Sequence, residues 1–163
     1  LAWSSAASDV YKRQAEGDYF VSIKHRNHLG VMSATPISLG ENCTDINFTD
    51  GSVTTYIDPT PPLPNCNNPV EPMLQLPNGL YALYAGNVTC DNVIRATGPL
   101  TVNDFQQIFN FLGTNLFVPS VYSVFDINMD GSVRRSGPLA INDAQLFKSF
   151  IVRPINIICQ HMP

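Results

Sequence analysis

Asp126-Ile127-Asn128-Met129-Asp130-Gly131-Ser132 is the stretch on which the reading of this chain turns. Oxygen-bearing side chains stand at its first, third and fifth positions and a glycine at its sixth. In that order a calcium loop gathers side-chain oxygens around one ion, turns sharply on the glycine and adds the carbonyl of position seven. Asp126, Asn128, Asp130 and the carbonyl of Ser132 are therefore candidate Ca2+ ligands. Asp143 is either the carboxylate that closes the shell or only a helix-start residue. The extra residues Arg134-Arg135-Ser136-Gly137-Pro138-Leu139-Ala140 lie after Ser132, so Asp143 can still return to the ion.

Working outward, the pattern recurs upstream in weaker form, and internal repeats are sought before any other feature. Asn87, Thr89, Asp91 and Val93 align with Asp126, Asn128, Asp130 and Ser132, and Asp104 with Asp143. Arg95, Gly98-Pro99-Leu100, Asn103 and Gln106 recur as Arg134, Gly137-Pro138-Leu139, Asn142 and Gln145. The repeats are expected over 86–112 and 125–151. Asn92 replaces the turn glycine in the first copy, and Asn87 removes a charge. Fewer charges mean weaker calcium binding, so that site is expected to be weak or lost, with a hydrogen-bonded turn as its plain alternative.

Each loop is expected to lead into a helix. Val102, Phe105, Phe109 and Leu112 fall on one helical face, and Ile141, Ala144, Phe147 and Ile151 on another. Asn103 with Gln106, and Asn142 with Gln145, have capping-box spacing, and Asp104 and Asp143 suit the positive end of a helix dipole. Upstream, 19–23, 29–33, 45–48 and 53–57 are rich in aromatic and β-branched residues, as strands are. The second pair flanks an Asp50-Gly51 turn signal. Residues 80–84 and 121–125 read as strands feeding the two repeats, 58–78 as a Pro-rich connecting loop, and His25-Arg26-Asn27-His28 as a polar link. The predicted fold class is α+β: an N-terminal β-strand region (15–79), partly β-sandwich-like and truncated, followed by two calcium loop-helix repeats (80–163).

Residues 4–14 stand apart. Ser8-Asp9-Val10-Tyr11-Lys12-Arg13-Gln14 resembles the translation of a transposon adapter used in sequencing libraries, so 1–14 are set aside as not native and the preceding native part is expected to be missing. Of the 163 residues, 13% are charged and 13 are prolines, a balance that suits a loop-rich extracellular β protein. A net charge of −4 with nine Lys and Arg argues against nucleic-acid or anionic-membrane binding. No apolar run approaches the roughly 18 to 20 residues of a membrane span. Cys43, Cys66, Cys90 and Cys159 show no C-x-x-C spacing and allow three pairings. Cys43 with Cys66 is the favoured pair, with four free thiols as the alternative.

The duplicated loops, with their following helices, resemble the calcium repeats of dockerin modules. Gly17-Asp18-Tyr19-Phe20-Val21, His25-Arg26-Asn27-His28-Leu29-Gly30-Val31-Met32, Leu80-Tyr81-Ala82-Leu83-Tyr84-Ala85-Gly86 and the two R-x-[ST]-G-P-L-x-x-N-D blocks look like the C-terminal region of large secreted proteins of Bacteroidetes-type bacteria. That resemblance implies a secreted or cell-surface location and a calcium role. It leaves open a docking partner on a repeat helix face.

Three functions compete. A structural or interaction module stabilised by calcium accounts for the loops. An enzyme would need a site built from three histidines, and no nucleophile elbow, metal-binding helix, P-loop or dinucleotide fingerprint occurs, so no catalytic residue is assigned. A glycan-binding surface on Tyr19, Tyr56, Tyr81 and Tyr84 is the third reading, which core packing of those rings explains more simply.

Overall fold

The computed structural model describes residues 15–40, 44–59, 66, 71–151 and 157–162. Cys43 and the resemblance of 4–14 to an adapter lie outside them. Strands β1 (Gly17–Tyr19), β2 (Ser22–Ile23), β3 (Val31–Met32), β4 (Ile37–Leu39), β5 (Leu74–Gln75) and β6 (Tyr81–Ala82) come first. They are followed by β7 (Val93–Arg95), helix α1 (Asp104–Leu112), β8 (Phe117–Pro119), β9 (Ser132–Arg134), helix α2 (Asp143–Phe150) and β10 (Ile157–Cys159). The pairings are antiparallel and two-stranded: β1 with β4, β2 with β3, β5 with β6, β7 with β10 and β8 with β9.

The expected architecture of a partial β-sandwich followed by two calcium loop-helix repeats is thereby overturned. No sheet among the described residues exceeds two strands, so there are no two faces to stack as a sandwich. Neither loop runs into a helix: each enters a strand, β7 or β9, then a 3-10 turn, Leu100–Val102 or Leu139–Ile141, and only then α1 or α2. The physical reason is that aromatic and β-branched runs report burial, which a short bridge satisfies as well as a long ladder.

Local expectations diverge in the same way. Residues 45–48 and 53–57 do not pair with each other. Instead the 54–56 segment flanks the end of β3, through Ala34 N–H to the Thr54 carbonyl, Tyr56 N–H to the Met32 carbonyl and a Ser33–Thr55 bridge. Residues 121–125 form no strand; β8 lies just before them and ends at Pro119, which has no amide to extend a ladder. Leu74–Gln75, placed in the connecting loop by sequence, is a strand.

The core explains what the repeat is for. Val88 and Ile127, Ile94 and Val133, Ile108 and Phe147, and Leu112 and Ile151 occupy equivalent repeat positions, and all join one buried cluster with Leu29, Tyr84, Ala85, Ala144 and Ile158. Helices α1 and α2 meet through Phe105 and Phe147, with ring centroids 5.6 Å apart. Ile108, absent from the predicted face, is fully buried, whereas Phe105 and Phe109 flank it as half-buried rings. Asn103 and Asn142 cap the helices, each Oδ1 accepting the N–H of Gln106 or Gln145 at 3.0 Å. The reciprocal half of a capping box is replaced, because the Asn103 and Asn142 amides close the 3-10 turns onto Leu100 and Leu139 carbonyls.

Gly86 shows how tightly the first loop abuts α2. Its φ is +119°, and a Cβ there would lie 2.8 Å from the Phe147 ring. The polar link of the sequence reading is a latch. The Asn27 carbonyl accepts the amides of Gly86 and Asn87, while its Nδ2 donates to the carbonyls of Val124 (3.1 Å) and Asp126 (2.7 Å). One fully buried residue thus ties the entrances of both loops together, the first through its carbonyl and the second through its side chain. Gly30 N–H donates to Gln160 Oε1 at 2.8 Å, and a disulfide joins Cys66 to Cys159. That bond corrects the favoured Cys43–Cys66 pairing. Cys90 is free and exposed.

Candidate functional site

The second loop is built by carboxylates and amides folding onto each other. Met129 (φ 61°) and Gly131 (φ 82°) take left-handed conformations that bring the chain round. Asp126 Oδ1 accepts Asp130 N–H at 3.1 Å and Oδ2 accepts Gly131 N–H at 3.0 Å. Asn128 Oδ1 also accepts Asp130 N–H, and Asn128 Nδ2 donates to Asp130 Oδ2 at 3.0 Å. Asp130 Oδ1 accepts both the amide and the hydroxyl of Ser132, and the hydroxyl bond holds its carboxyl below the usual range. Asp126, Asn128 and Asp130 thus share one hydrogen-bonded turn, with Ser132 opening β9.

Asp143 stands differently. Its Oδ1 accepts the amides of Ile127 (2.7 Å) and Asn128 (3.4 Å), and its Oδ2 accepts that of Arg134 at 2.8 Å. It therefore braces the loop entrance against β9 from the first turn of α2. Burial pushes its carboxyl up against those hydrogen bonds, and the neighbouring Asp126 charge adds to the rise. Among the described residues no group of three or more His, Cys, Asp or Glu side chains is arranged to hold a metal ion. The trio Asp126, Asn128 and Asp130 has two carboxylates and one amide, while both oxygens of Asp143 accept backbone amides.

The first loop shares the scaffold with fewer charges. Cys90 (φ 58°) and Asn92 (φ 65°) take the left-handed positions. Asn87 Oδ1 accepts Asp91 N–H, and Asp91 Oδ1 accepts Val93 N–H at the start of β7. Thr89 turns away, its amide and hydroxyl both donating to Asp104 Oδ1 at 3.0 and 2.9 Å, while Asp104 Oδ2 accepts Arg95 N–H at 2.7 Å. Asp104 is fully buried, and burial pushes its carboxyl up to about 6 despite these three donors. Positions one and five keep the bond of the second loop, and position three leaves them for Asp104. Asp104 is a brace, like Asp143, in a turn satisfied by its own hydrogen bonds.

Charge distinguishes the two loops. Asp126 is 1% exposed, and Arg26 Nη2 lies 3.4 Å from its Oδ2. The equivalent Asn87 is neutral and buried. Arg26 belongs to the same turn as Asn27, a proximity that sequence distance concealed. A second signal was present and passed over: Asp45-Ile46-Asn47-Phe48-Thr49-Asp50-Gly51-Ser52-Val53 repeats Asp126–Val133 residue for residue, with Met129 replaced by Phe48 and Thr49 inserted. Asn47 Nδ2 donates to Asp50 Oδ2 at 2.9 Å, Ser52 N–H to Asp50 Oδ1 at 2.8 Å, and Gly51 has φ 77°. Unlike Asp126, Asp45 is exposed, so this turn buries no charge at its first position.

Among the described residues His25 and His28 have no third ligand with which to hold a metal. Their Nδ1 atoms are 2.9 Å apart, and both lie within reach of Asn27 Oδ1 at 3.2 and 2.8 Å. Burial, then the charges of His25 and Arg26, lowers His28 to about 4, keeping the ring neutral at physiological pH. No described helix is long and apolar enough to cross a membrane. Compared with family models, curated proteins and solved structures, the chain matches none.

Proposed function

We propose that this chain is a calcium-stabilised structural or interaction module of a secreted or cell-surface protein, with one ion held at Asp126, Asn128 and Asp130. The observation that carries the reading is that Asp126 Oδ1 and Asn128 Oδ1 meet at one amide, that of Asp130, whose side chain is bonded to Asn128, while the Asp126 carboxylate is 1% exposed. The donor set is all oxygen, which suits a hard cation and excludes preference for a soft metal. Calcium would neutralise a charge that is costly to bury and would favour the folded chain by mass action, because the unfolded chain has no preformed loop. The first loop, with Thr89 turned to Asp104, serves as the structural counterpart that needs no ion.

The Cys66–Cys159 disulfide supports an oxidising location, in keeping with the resemblance to C-terminal regions of secreted Bacteroidetes-type proteins. Calcium titration calorimetry and thermal melting test the reading, using the full chain and Asp126→Asn. That variant keeps the hydrogen-bonding shape and removes the charge. The expected result is a binding isotherm and a higher Tm in calcium, both lost in the variant. A folded sample showing neither heat nor a Tm shift would refute calcium binding.

A further inference from the structure

We infer that the Arg26 guanidinium is a tethered counter-cation of the second loop, and that calcium enters by displacing it. This rests on the calcium reading of Asp126. The side chain reaches the loop from the 25–29 turn, with Nη2 3.4 Å from Asp126 Oδ2, the oxygen that also accepts Gly131 N–H. Its backbone cannot leave. The next residue, Asn27, is bonded to the carbonyls of Val124 and Asp126 and to the amides of Gly86 and Asn87.

The side chain is less firmly placed. Charge-assisted N–H···O bonds close to about 2.7–2.9 Å, and this contact is longer. Arg26 Nε is buried with no hydrogen-bond partner among the described residues. The guanidinium stacks 4.0 Å from the ring centre of Tyr122, which is 90% exposed, so it borders a surface ring. A guanidinium and a divalent ion on the same carboxylate repel each other strongly in a partly buried site. They therefore occupy Asp126 in turn.

The first loop supplies an internal comparison. Where Asp126 is replaced by Asn87, no charge needs balancing, and what the latch offers nearby is the Arg26 carbonyl, contacted by Cys90 Sγ at 3.7 Å. A tethered cation keeps the charged loop folded when calcium is scarce and weakens its affinity when calcium is present. Occupancy would free the guanidinium and Tyr122 together, altering the surface beside the loop.

The test compares the full chain with Arg26→Gln and Arg26→Lys by calorimetry with calcium chloride, and by melting in chelator. Arg26→Gln is expected to bind calcium about tenfold tighter, a change of about 1.4 kcal/mol, while melting at a lower temperature in chelator. Arg26→Lys, which keeps a charge, is expected to bind like the parent. Equal or weaker binding by a folded Arg26→Gln, with the parent binding normally, overturns the exchange and leaves the calcium site standing. Absence of binding by parent and both variants overturns the calcium reading and the exchange with it. If Arg26→Gln fails to fold in chelator, the lysine variant decides: tenfold tighter binding despite its charge would likewise refute competition.

Discussion

His28 shows how a single side chain sets a pH limit. Its folded value of about 4 lies below the ordinary 6.5 because burial disfavours the charged ring and because His25 and Arg26 are positive neighbours. In this window the unfolded chain binds the proton more readily, so the contribution of His28 is complete above pH 6.5 and is lost as pH falls toward 4. We expect a loss of about 2 kcal/mol, part of the full value being screened at the ring's open edge. Asp104 works the other way: its carboxyl is raised from 3.8 to about 6, so its burden on the fold grows as pH rises through that interval. The contribution of His28 must therefore be read as a difference. Urea unfolding at pH 7 and pH 4.5 should show a smaller acid loss for His28→Gln than for the parent; identical losses would dismiss the histidine as the cause. At this scale the sharp turn at Gly131 was legible, because a glycine in that place marks a backbone that needs positive φ. Arg26 was not, since nothing local indicates that it meets Asp126 a hundred positions later.

Elements were legible where a period or a cap defines them. Both helices begin where Asn103 and Asn142 predict, because an Asn side chain satisfies an amide that the first turn leaves open. Ala144, Phe147 and Ile151 are buried as their spacing implies. Strands were less legible, since bridges of two or three residues carry too little alternation to distinguish 121–125, which form none, from 117–119, which do. The caps lend themselves to measurement. Asn103→Ala and Asn142→Ala should each cost about 1 kcal/mol by chemical denaturation. Their joint effect should depart from the sum, because α1 and α2 share the Phe105–Phe147 contact. Strict additivity within error would mean that each helix end frays independently of the other.

The whole molecule is held by closures between residues far apart in sequence. The disulfide from Cys66 to Cys159 spans a separation of 93 residues, and constraining a loop of that length is worth about 4–5 kcal/mol in the chain-entropy account. Reduction, or the Cys66→Ser/Cys159→Ser pair, should lower the urea midpoint by a corresponding amount. Calcium should recover part of that loss if the second loop binds it. A midpoint unchanged by reductant, with free thiols verified by titration, would show that the strand pairing of β7 and β10 alone secures this end. Four cysteines with three possible pairings gave no means of finding the partner of Cys66, because pairing follows from which strands lie side by side.

The bond from Gly30 to Gln160 has a consequence for the order in which this chain matures. The latch turn, with Arg26 and Asn27, is synthesised before the partners it binds. Its partners at 86–87, 124–126 and 160 follow one after another. At a synthesis rate of about 5–20 residues per second, the first strands would wait on the order of ten seconds for the final closing contact. During that interval Leu29, destined for the main core, has no finished interior to enter until the segment around Gln160 has been made.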